Sequence, residues 1–206
     1  MITVTVTRSG YTGSITSAAV GPVTAAGGNR PSAPIDVTAT AQSTSSIQIS
    51  WRSVTEGTSY NIEVRTTETG TWSSLTTVSG TSYTHTGLSA NTQRWYRVFA
   101  INSDGTSSAS STVQATTNPP APTTAPTVSH STGTQQITFS WSAVTNATSY
   151  EYQWKRATDS NWYSIRETTA RQTFINTGGP RVEYQFRVRA KNVTGTGPWG
   201  TRNVTM

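Results

Sequence analysis

Tyr184-Gln185-Phe186-Arg187-Val188-Arg189-Ala190-Lys191-Asn192-Val193-Thr194-Gly195 alternates bulky apolar side chains with polar or charged ones and then breaks into a turn. Successive side chains of a strand point to opposite faces, so Tyr184, Phe186, Val188 and Ala190 line an inner face while Gln185, Arg187 and Arg189 point outward. Moving back by 90 residues recovers the same stretch as Arg97, Val98, Ala100, Asn102 and Gly105. The offset also superposes Trp51 on Trp141, Val54 on Val144, Tyr60 on Tyr150 and Trp72 on Trp162. Large aromatics recurring at one spacing mark an internal repeat.

Working outward, each copy opens after prolines, at Pro31 and Pro34 in the first and within the four-proline stretch from Pro119 to Pro126 in the second. Proline fixes φ and lacks a ladder donor, so these stretches separate sheets. Inside each copy the period is two: Ile47, Ile49 and Trp51, then Tyr60, Ile62 and Val64, are matched by Ile137, Phe139 and Trp141, then Tyr150, Tyr152 and Trp154. Short strands with turn signals every 8 to 12 residues or so indicate a two-sheet sandwich.

The composition agrees. Of 206 residues 33% are hydrophobic and 12% charged, leaving polarity to Thr, Ser, Gly and Asn, which favour strands and turns over helix interiors. Seven Trp, eight Tyr and four Phe argue against disorder. The absence of Cys excludes disulfides and thiolate metal sites. No run approaches the roughly 18 apolar residues that cross a bilayer, so membrane insertion is not expected.

The proline-led start, the Trp on the second strand and the Tyr-x-Phe-x-Val-x-Ala-x-Asn-x-x-Gly string at Tyr184 to Gly195 together resemble fibronectin type III domains, over about 31 to 206. The fold class expected is all-β: two tandem immunoglobulin-like sandwiches, residues 31–118 and 119–206, the second including the Pro-rich linker. The resemblance implies that Tyr184 hydrogen-bonds back to the chain upstream; the first copy has Arg94 there, so that bond is not carried over. The second copy has Gly178 where the first has Leu88, so its approach to the corner differs.

Residues 1–30 are expected to form a β-hairpin resembling the end of a preceding domain, or a segment pairing with a neighbouring subunit's sheet edge, followed by a Gly-rich linker. Met1 to Thr7 alternates like a strand and lacks the charged and solid apolar regions of a signal peptide. Either the chain is a fragment of a longer exported protein, or it is made in the cytosol and never takes the secretory route.

Chemistry is sparse. His85 and His130 are expected to be solvated loop or strand-face residues, and the nine carboxylates suggest no acid and nucleophile pair. Gly195 to Gly200 matches G-x-G-x-x-G, but a strand pattern, not a helix, follows, so no dinucleotide site is expected and Trp199 is assigned to the sandwich edge. No catalytic residue, metal or cofactor is expected. Asn146, Asn192 and Asn203 each head an Asn-x-Thr triplet, a pattern that chance produces in so Asn- and Thr-rich a chain.

Residues 119–206 carry a net charge of +5 against −1 for 31–118. Placing Arg187 and Arg189 outward beside Glu151, Gln153 and Lys155 predicts a polar ladder with cross-strand Glu–Arg pairing. Lys155, Arg187 and Arg189 are also the candidate contacts for a polyanion or surface glycan. Nucleic acid is disfavoured because the tryptophans alternate in phase with the core, leaving no exposed aromatics between the basic groups.

The function expected is a non-enzymatic structural or adhesive module acting as spacer and display surface. Its style resembles the surface and tail-fibre modules of bacteria and phages, implying a virion component (tail, fibre or capsid decoration) or a cell-surface one, with other structural subunits, neighbouring domains or host glycans as partners. The alternatives are the accessory region of a secreted polysaccharide-degrading enzyme, or a glycan-binding module.

Overall fold

The computed structural model describes residues 29–179 and 181–206. The hairpin expected over 1–30 therefore lies, but for Asn29 and Arg30, outside the described residues. The first copy contains β1 (Thr38–Ala41), β2 (Ile47–Ser50), β3 (Ser59–Arg65), β4 (Ser73–Val78), β5 (Ser82–His85), β6 (Gln93–Asn102), β7 (Gly105–Thr106) and β8 (Val113–Thr116). The second repeats them as β9 (Val128–Gly133), β10 (Gln136–Trp141), β11 (Ser149–Arg156), β12 (Arg166–Thr168), β13 (Gln172–Asn176), β14 (Glu183–Asn192), β15 (Gly195–Thr196) and β16 (Gly200–Thr205).

Each copy is a sandwich of two antiparallel sheets. In the first, β1-β2-β5 faces β4-β3-β6, with β7 and β8 both pairing β6; in the second, β9-β10-β13 faces β12-β11-β14, with β15 and β16 both pairing β14. The period-two pattern is realised: Ile47 and Ile49 meet Ile62, Tyr96 and Val98 in one core, while Ile137 and Phe139 meet Phe186 and Val188 in the other. Phe139 stacks on Phe186 at 4.2 Å between centroids. Burying each such side chain stabilises by about 1.5–3 kcal/mol.

The repeated Val and Tyr positions have a common cause. Tyr60 Oη accepts a hydrogen bond from Val54 N at 2.9 Å, and Tyr150 Oη accepts one from Val144 N at 3.1 Å. A buried amide at the end of the tryptophan strand is thereby satisfied by the next strand's phenol, while Trp51 and Trp141 tilt against those same rings.

At the base the copies diverge. Tyr184 Oη accepts from Gly178 N at 2.9 Å, the corner bond implied by the resemblance. In the first copy Arg94 takes that position, and Thr117, 1% exposed, ties the corner instead: its Oγ1 donates to Ser89 O at 2.7 Å and accepts from Thr92 N at 2.9 Å. Leu88 packs against the core there. In the second copy Met206 occupies the place of Thr117, bonding Val182 O as Thr117 N bonds Thr92 O. The expected match of Gly178 to Leu88 is shifted by one residue, since Thr177 N bonds Gln135 O as Leu88 N bonds Ser45 O; with Thr177 there, a hollow of about 260 Å³ lies beside Gln135, Thr177 and Met206, and Thr177 Oγ1 is buried without a partner among the described residues.

The ends of β6 and β14 anchor the incoming chain. Asn102 Nδ2 donates to Asn29 O at 2.8 Å while its Oδ1 accepts from Asp104 N and Gly105 N. Asn192 does the same for Pro120 O at 2.7 Å, with Oδ1 taking Thr194 N and Gly195 N. Asn192, 5% exposed with both ends of its amide engaged, is thus a structural residue. Thr194 Oγ1 adds a bond to Pro119 O at 2.6 Å, and Asn118 N bonds Ser43 O of the first sandwich at 3.0 Å.

Candidate functional site

The outer face of the second sandwich is built on β11 and β14, in which Glu151 stands opposite Arg189, Gln153 opposite Arg187 and Lys155 opposite Gln185. The predicted cross-strand pairing is present. Arg189 donates from Nε and Nη2 to Glu151 Oε2 at 2.9 and 2.7 Å, and Lys191 Nζ lies 3.2 Å from Glu151 Oε1 and 2.9 Å from Glu167 Oε2. Burial opposes ionisation of Glu151, but the hydrogen bonds from Arg189 and Lys191 outweigh it and hold the carboxyl below its ordinary range.

Arg187 is held differently. Its Nε donates to Gln153 Oε1 at 3.0 Å, and its guanidinium sits 4.2 Å from the Trp162 ring centroid and 4.5 Å from that of Trp199. Arg189 also stands 4.5 Å from Trp199, and Lys155 Nζ 5.6 Å from Trp162. Burial, then repulsion from Arg189, lowers the pKa of Arg187, which is charged at neutral pH all the same. Among the described residues no carboxylate lies within 4.0 Å of Arg187 or Lys155; Lys155 Nζ donates to Asp159 O at 2.9 Å.

This corrects the expectation that the tryptophans alternate in phase with the core. Trp51 and Trp141 do, but Trp72, Trp162 and Trp199 lie on outer faces among arginines. Trp199 sits between the edge strands β15 and β16, as expected, but its ring reaches inward over Arg187 and Arg189 of the ladder. The argument that disfavoured nucleic acid loses its premise, since cations and rings do interleave; each of these indoles is already engaged by a cation of the chain itself.

The first sandwich carries the counterpart. Arg97 donates to Glu63 Oε2 from Nε at 2.7 Å and from Nη2 at 2.6 Å, and Trp72 lies 4.5 Å from both the Arg65 and Arg97 guanidinium carbons. Phe99 and Ile101 take the places of Arg189 and Lys191, and Ala109 takes that of Trp199. The strand register fixes the last equivalence: Ser107 N bonds Ala100 O as Gly197 N bonds Ala190 O. Without a counterpart of Trp199, this face has a hollow of about 310 Å³ lined by Asn61, Glu63, Phe99, Ile101 and Thr106.

The histidines also differ from expectation in part. His85 on β5 is half-buried, its Nδ1 3.0 Å from Tyr96 Oη, and burial followed by the charge of Arg94 lowers its pKa. His130 on β9 accepts from Arg202 Nε at 3.2 Å. Among the described residues no group of three or more His, Cys, Asp or Glu is placed to hold a metal, and no helix is long and apolar enough to cross a membrane. Gly195 to Gly200 runs through β15 into β16, without a helix to receive a phosphate.

Residues 32–116 match the family model of the fibronectin type III domain. That match spans the first sandwich, which has the fibronectin type III fold. The chain is 32% identical over 181 residues to exoglucanase B of Cellulomonas fimi, a match covering 80% of this chain but 15% of the length of that protein. A crystal structure of chicken CNTN1 FN1-FN3 domains superposes with a TM-score of 0.59 at 24% identity, covering 86% of this chain and 66% of that one, which speaks to the fold alone. The fibronectin type III topology is repeated strand for strand by the second sandwich.

Proposed function

We propose that the chain is a non-catalytic spacer and display segment working outside the cell within a longer polysaccharide-degrading protein. The observation that carries this is the joint. Asn118 N is bonded to Ser43 O of the first sandwich and the very next residue, through Pro119 O, to Thr194 Oγ1 of the second. An eight-residue, four-proline linker thus shrinks to a hinge at one peptide, with Pro122 and Pro126 buried beyond it. A short hinge suits a spacer that holds its neighbours apart.

The likeness to exoglucanase B supports the accessory placement; the presence of the chain in purified virus particles would favour a virion one instead. An acidic glycan is a second reading for the basic face. Because Arg189 is neutralised by Glu151, such a ligand would meet Arg187 and Lys155.

The test is small-angle scattering of the full chain beside the Asn192→Ala, Thr194→Ala double variant. Releasing Pro119 and Pro120 is expected to broaden the interdomain distance distribution while each sandwich keeps its own melting transition. An unchanged distribution would overturn the spacer reading.

A further inference from the structure

The two outer faces share a plan but not a surface. In the second sandwich the Trp199 indole covers Arg187 and Arg189, and the ion pairs of Glu151, Arg189, Lys191 and Glu167 claim the rest. In the first, Ala109 covers nothing, and the hollow of about 310 Å³ lies at the lower end of the ~300–1,000 Å³ typical of small-ligand pockets.

Its chemistry is specific. Glu63 is paired through Oε2 with Arg97, so the floor carries no net charge and draws neither cation nor anion. Glu63 Oε1, Asn61 Oδ1 and Thr106 Oγ1 have no hydrogen-bond partner among the described residues, whereas Asn61 Nδ2 already serves Ser74 and Thr77. Three unclaimed oxygens beside the Ile101 side chain and the Phe99 ring, one side of which the Arg97 guanidinium approaches at 5.2 Å, suit a ligand with an apolar face for the other side, an edge rich in hydroxyl donors and no charge. A peptide side chain seldom offers all three.

We propose that the hollow bounded by Asn61, Glu63, Phe99, Ile101 and Thr106 is a subsite for an uncharged pyranose sugar within a polysaccharide chain. The choice of a glucan as probe rests on the polysaccharide-linked function above; the site itself rests on the geometry. Phe99 stacks under the C–H face of the ring, and the carboxylate, amide and hydroxyl oxygens accept from its hydroxyls.

The experiment is a titration of the isotope-labelled full chain with cellotetraose, read by amide chemical shifts. Saturable shifts at Asn61, Glu63, Phe99 and Thr106 are expected, with a Kd of about 1 mM. Ala109→Trp, which copies the cover of the second sandwich, and Phe99→Ala should each weaken binding about tenfold or more. Thr106→Val, at an exposed position of β7, should weaken it less, and Trp199→Ala should leave it unchanged. Absence of shifts at about 10 mM sugar, shifts confined to the second sandwich, or equal shifts with charged tetragalacturonate would each overturn the proposal. Scattering that defeats the spacer reading leaves these shifts standing, and missing shifts leave the spacer intact.

Discussion

In the first sandwich the outer sheet face is open and the base is closed; in the second the face is covered and the base is open. Two pairs of equivalent positions account for most of the exchange. Trp199 against Ala109 distinguishes the faces, and Thr177 against Leu88 the bases. A sandwich core specified by alternate strand residues tolerates such trades, because each changes a surface the core does not use. Duplicated domains can therefore diverge in what they present without diverging in how they fold.

The bases give the largest expected effects. Tyr184→Phe strips Gly178 N of its acceptor and should cost the second sandwich about 1–3 kcal/mol in urea unfolding followed by the resonances of each copy. In the first sandwich the equivalent loss should come from Thr117→Val, which orphans Thr92 N and Ser89 O. A neutral Thr117→Val would break the claim that a threonine has replaced the corner tyrosine.

The faces come next. Trp199→Ala removes the ring shared by Arg187 and Arg189 and should cost the second sandwich about 1 kcal/mol, leaving the first untouched. No loss would mean the ladder ornaments the face without bracing it.

The smallest effect is in pH. His85 has its pKa lowered from 6.5 in the folded first sandwich, so the unfolded chain takes up its proton first; stability is full above that value and falls as pH drops below it. Glu151 is also lowered, from 4.5, but it is a carboxyl: its contribution to the second sandwich is present above that value and is lost as pH falls through the lower folded value. Melting curves on acidification should thus weaken the first copy before the second, and His85→Gln should flatten the earlier limb. Simultaneous weakening of both would sharpen the comparison against this assignment.

Both cores were legible because Ile47, Ile49, Tyr96, Val98 and their partners sit within strands, where period two assigns a face. So was the Glu151–Arg189 pair, since neighbouring strands with known inward residues fix the outward ones. Trp72, Trp162 and Trp199 were misassigned for the same reason in reverse. None lies within a strand: Trp72 precedes β4, Trp162 lies between β11 and β12, and Trp199 falls between β15 and β16, so periodicity gives them no phase. A usable signal was present, the outward Arg187 and Arg189 two residues apart, whose planar cations call for a flat neighbour. The hollow of the first sandwich was invisible, because it follows from what Ala109 does not fill.

The hinge at Asn118 and Pro119 bears on survival in a hostile medium. An endopeptidase must draw several extended residues into its cleft before it can cut, and the usual place to find them is a slack connection between domains. Here that connection is held from both sides and studded with imino acids, so the weakest stretch of an ordinary two-domain chain is the one this molecule keeps out of reach.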